Sequence, residues 1–222
     1  MEELKNFIRY AYLVLLMLNI IIYSASFFYK SKYFKPILIY LIIGLICEIS
    51  YDLILRNILL INGEQTNAPF GHLYAWTQLI TFFYFFYSQQ KYQSTKKLFI
   101  IIFVLFFLLS LTPYLWLGSS LMLHDPYVPL ITMFCVIVFC FIYFFQLLDN
   151  KKGYPFITIG IFLATGSSII RSCVAPFWEG VDFNILHIAS IINLLPLIIM
   201  QLLFMFEAYL FFTDKEEKLT VL

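Results

Sequence analysis

The chain has 222 residues, of which 62% are hydrophobic, 20% aromatic and only 12% charged, with a formal net charge of +1; its mean hydropathy is +0.89. A soluble domain of this length carries about twice that share of charge, and repeated apolar runs of about 20 residues mark membrane spans rather than buried core helices. The net charge rules out nothing by itself, but the basic patch that nucleic acid requires is missing, so no nucleic-acid partner is expected.

Seven spans follow in chain order: Phe7 to Tyr29, Ile37 to Ile61, Phe70 to Tyr87, Leu98 to Leu117, Tyr127 to Leu148, Pro155 to Pro176 and Asn184 to Phe212. The expected fold class is therefore all-α: an integral membrane protein, a single domain over residues 1–222 built as a bundle of seven transmembrane helices in the lipid bilayer. No connection is long enough for a soluble domain. The first apolar run is too long, and its flank wrongly charged, for a cleavable signal peptide.

Basic residues set the orientation. Lys30, Lys32 and Lys35 follow span one, Lys91, Lys96 and Lys97 follow span three, Lys151 and Lys152 follow span five, and Lys215 and Lys218 follow span seven. The alternate loops carry Glu64, Asp125, Glu179 and Asp182 and no Lys or Arg. Positive-inside reasoning puts the amino terminus outside and the carboxyl terminus in the cytoplasm. Many Tyr and Trp residues near span ends, Trp76, Tyr114 and Trp116 among them, read as interfacial anchors.

Within span two, Glu48, Asp52 and Arg56 are spaced by four, so they share one helical face. Ionisable groups in lipid are costly and turn toward partners, water or a site. Arg171 of span six stands as far beyond Pro155 as Asp52 does beyond Pro36, about 24 Å from the cytoplasmic side. An ion pair between Asp52 and Arg171 is the economical reading. His72, Trp76 and Gln78 of span three and His187 of span seven fall in the outer half, with Asn19 and Asn193 near the midplane. The candidate ligand-binding or ion-pair residues are thus Glu48, Asp52, Arg56, Arg171, His72, Gln78, His187 and Asn193. For Asn19, Gln78, Asn193 and Gln201, simple hydrogen bonding between helices is the competing explanation. Glu207 reads as a residue that snorkels to the cytoplasmic interface. Pro196 is expected to kink span seven by freeing the carbonyl four residues earlier.

Several chemistries lack their residues. Cys47, Cys135, Cys140 and Cys173 lie in apolar runs without CxxC spacing, so neither disulfides nor a zinc knuckle are expected. His72, His124 and His187 form no HxxxH or HExxH pattern, and span seven has no lysine for a retinal Schiff base. Phosphate-binding glycine loops and GxSxG elbows are missing. No catalytic residue, metal or cofactor is indicated.

The stretches LYAWTQLITFFYFFYSQQK and YPFITIGIFLATGSSII, set in a seven-span plan, resemble a group of small bacterial inner-membrane proteins. The resemblance implies a bacterial cytoplasmic membrane and a link to sensor kinases, although Gln78 stands where that group would carry a glutamate. Three functions compete. The first is a receptor-like sensory module with a polar pocket for a small extracytoplasmic ligand and a cytoplasmic signalling partner. The second is a small carrier or ion-coupled transporter, supported by a loose three-plus-one-plus-three repeat around Pro36 and Pro155. The third is an intramembrane lipid-modifying enzyme.

Overall fold

The structure is a computed structural model that describes residues 2–25, 33–55, 58, 60–61, 66–116, 121, 126–149, 153–174 and 183–220. Helices follow one another as α1 (Glu2–Ala25), α2 (Lys35–Leu55), α3 (Ala68–Gln89), α4 (Gln93–Trp116), α5 (Tyr127–Asp149), α6 (Pro155–Val174) and α7 (Phe183–Thr220). Each expected span coincides with one of them. The second stops earlier than expected, at Leu55, and the last continues to Thr220.

Among the described residues, α1, α2, α4, α5, α6 and α7 are long and apolar enough to cross a membrane. The protein is a polytopic membrane protein with a helical fold. α3 has the length but not the hydropathy, because His72, Gln78 and several tyrosines lie in it. It is also well enclosed, with ten buried residues against three in the longer α4, Phe99, Ser110 and Pro113. A helix shielded by its neighbours tolerates polarity that a lipid-facing helix cannot.

The chain divides into two compact units, a central one of Lys32–Phe139 and a terminal one of Met1–Ser31 with Cys140–Leu222. The boundary falls inside α5. α1 groups with α6 and α7 rather than with α2 and α3, so the division does not follow a three-plus-one-plus-three repeat.

In the terminal unit α7 packs against both α1 and α6. On α1 the buried residues Tyr12, Leu16, Asn19 and Tyr23 recur every three or four positions, while Phe7, Tyr10, Val14, Met17 and Ile21 lie exposed on the other side. The pattern is that of a membrane helix: its polar Asn19 turns inward and its isoleucine outward. On α6, Gly160 and Ala164 form a small-residue pair one turn apart. A Cβ on Gly160 would stand 3.2 Å from the Met200 Cα and 3.4 Å from its carbonyl oxygen. Glycine therefore sets how closely the α6 and α7 backbones approach, the usual basis of helix pairing in lipid.

The central unit is aromatic. α3 packs on α2 and α4, with Tyr40 of α2 4.6 Å from Phe82 between ring centroids and Phe103 of α4 stacked on Phe83 at 4.2 Å. Phe139, from the first part of α5, stacks on Phe99 at 5.0 Å. Pro113 inside α4 deprives the Leu109 carbonyl of its helical donor, and the Thr112 hydroxyl donates to that carbonyl at 2.7 Å instead.

Candidate functional site

Two polar regions stand out, one in each unit. In the central unit the inward face of α2 runs through Ile37, Leu41 and Gly44, all buried, and the outward face through Ile39, Ile42, Ile46 and Ile49, all exposed. Continuing the inward face by one and two turns reaches Glu48 and then Asp52, which are half-buried. The Tyr40 and Tyr74 hydroxyls share a hydrogen bond of 2.5 Å between α2 and α3. The Cys47 thiol donates to the Phe70 carbonyl at 3.6 Å, one position before Glu48. Both carboxylates thus lie in register with the buried positions of α2.

His72 of α3 is buried at 2% exposure, with its ring edge-on to Tyr114 at 5.7 Å. Trp76 stands 5.8 Å from the same tyrosine and donates its indole N–H to Ser110 Oγ at 3.3 Å. Gln78 is buried in the same helix. Tyr114 and Trp76 therefore act here as packing partners of His72.

Arg56 lies outside the described residues, as do the side chains of His187 and Asn193. Arg171 is exposed in the last turn of α6. Asp52 and Arg171 belong to different units.

The terminal unit holds a buried polar ladder along α7. Asn19 Nδ2 donates to the Gln201 carbonyl at 2.9 Å and to Gln201 Oε1 at 2.8 Å. The carbonyl bond fixes which way the Asn19 amide faces. Asn19 Oδ1 and Gln201 Nε2 are left without hydrogen-bond partners among the described residues. One turn on, the Tyr23 hydroxyl donates to the Phe204 carbonyl at 3.0 Å. One further turn brings Glu207, about 9 Å along the helix from Gln201.

Glu207 is 5% exposed and does not snorkel. Its Oε2 accepts the backbone N–H groups of Phe156 at 2.7 Å and Ile157 at 3.2 Å. The local sequence explains why. α6 opens on Pro155, which has no N–H, and the residue before it, Tyr154, has no short oxygen with which to cap the helix. Phe156 and Ile157 carry the first free donors, at the positive end of the helix dipole. α7 supplies from outside the cap that α6 lacks. The Tyr154 N–H is taken by the Tyr143 hydroxyl of α5 at 3.1 Å, and Thr158 N–H begins the intrahelical series to the Tyr154 carbonyl at 3.3 Å.

Sequence reasoning missed this cap. The signal was present: a helix opening on Tyr-Pro without Ser, Thr, Asp or Asn before it needs an acceptor from elsewhere. Asn19 and Gln201, read as groups that bind helices together, do so. No protein-family model, curated protein or solved structure matches the chain.

Proposed function

We propose that the protein is a receptor-like sensory module of a bacterial cytoplasmic membrane. In this reading α3 crosses the bilayer as a seventh, shielded span, the amino terminus lies outside and the carboxyl terminus in the cytoplasm. Glu48 and Asp52, with Arg56 beyond them, line a pocket open to a small extracytoplasmic ligand. A cytoplasmic signalling partner reads the state of the bundle through α7.

The observation that carries this reading is the length of α7. Its 38 residues span about 57 Å, more than the roughly 40–45 Å of a bilayer with its headgroups. The apolar stretch ends at Thr213, and the helix continues through Asp214, Lys215, Glu216, Glu217 and Lys218. A helix fixed to two neighbours inside the bilayer and charged beyond it carries displacement out of the membrane. A carrier needs no such extension, although carboxylates on the inward face of α2 would also serve an ion-coupled one.

The test is affinity purification from the native membrane of the full chain and of a chain ending at Thr213. A kinase-type signalling protein should copurify with the full chain and be lost from the shortened one, with equal insertion of both. Identical partners for the two chains would contradict the reading.

A further inference from the structure

The Glu207 cap joins an ionisable group to a helix–helix contact within the apolar stretch Leu194–Thr213. No cation partners it among the described residues. The ionisable groups that face it are phenols, Tyr23 from α1 and Tyr143 from α5. Tyr154 adjoins the start of α6, where its N–H is held by Tyr143.

We propose that Glu207 is a proton-binding site whose occupancy decides whether the start of α6 is docked on α7. The ionised carboxylate is acceptor-only, and it meets two amide donors at a helix N-terminus. Once protonated, the acid carries a proton that neither amide can accept. Its remaining carbonyl-type oxygen makes neutral hydrogen bonds, about half as strong as charge-assisted ones. Nothing local replaces the lost cap, because Pro155 has no N–H and Tyr154 no capping oxygen.

The sign follows from linkage. The two amide hydrogen bonds favour the ionised form, and undocking within the bilayer removes them while the carboxyl stays desolvated, so docking is strongest at high pH and is lost as pH falls through the titration of Glu207; undocking in turn favours proton uptake. Polar and ionisable groups inside a bilayer characteristically bind and relay protons. The inference extends beyond the sensory reading and does not rest on it, since the bundle itself responds whether or not a partner is bound.

The experiment uses the full chain in lipid nanodiscs, scanned from about pH 4 to about pH 9. Infrared difference spectra report protonated carboxyl. Amide hydrogen exchange at Phe156 and Ile157, corrected for the intrinsic pH dependence, reports docking. The expected result is a carboxyl band that grows as pH falls, together with loss of protection at those two amides over the same range. Glu207→Gln should remove the band and hold both amides at the low-pH level throughout. A carboxyl band that does not titrate, or one that titrates while protection stays constant, would overturn the proposal. Should the variant fail to fold, the wild-type protein alone still separates these outcomes.

Discussion

In the terminal unit α7 is tied to its neighbours by a ladder of buried directional bonds, whereas the central unit adds broad aromatic surfaces to a few hydrogen bonds such as Tyr40 with Tyr74 and Trp76 with Ser110. Asn19 with Gln201, Tyr23 with the Phe204 carbonyl and Glu207 with the start of α6 each join groups in one geometry. In the central unit Phe83, Phe99, Phe103 and Phe139 meet as rings at centroid distances of 4.2–6.0 Å. Lipid tails are as apolar as phenylalanine, so burying a ring inside a bilayer gains packing but little transfer energy. A buried polar group left without its partner in hydrocarbon loses far more. Substitutions should therefore act steeply and position by position in the terminal unit, and gradually in the central one.

The larger expected effect is at the closest backbone approach. Gly160→Leu places a branched side chain against the Met200 backbone, which cannot move aside as a side-chain tip could. It should destabilise the bilayer-embedded protein by about 1–3 kcal/mol and weaken the neighbouring Glu207 cap, seen as faster exchange at Phe156. Phe139→Leu should have the smaller effect. It removes the ring that stacks on Phe99 but keeps an apolar side chain of similar reach, so unfolding measured in bilayers should shift by about 1 kcal/mol or less. Equal losses at the two positions would remove the contrast between the units.

The helices were largely legible in the sequence, because an apolar run of span length is a local property and needs no partner to be recognised. Proline and the charged connections placed most helix ends within a few residues, as at Pro155, which opens α6. That Glu48 and Asp52 share one helical face follows from their spacing by four, but spacing does not say which way that face turns. Glu207 was misread because its role depends on a residue 50 positions away, Ile157. Its own neighbourhood, near the end of a span and followed by a charged tail, suits a snorkelling acid equally well. α3 was read as a span with polar His72, Trp76 and Gln78 in it, but nothing in its own sequence shows that enclosure by neighbouring helices accommodates that polarity. The grouping of α1 with α6 and α7 had no sequence signal at all, since contacts between the two ends of a chain leave no periodicity.

That grouping underlies both the polar ladder and the Glu207 cap, and cysteine crosslinking in native membranes tests it directly. Asn19→Cys and Gln201→Cys replace the two side chains that meet between α1 and α7. In a background with the four native cysteines replaced, mild oxidation should give an intramolecular disulfide, seen as a mobility shift absent from either single variant. No shift at 19/201 under the same conditions would contradict a unit formed from the chain's two ends.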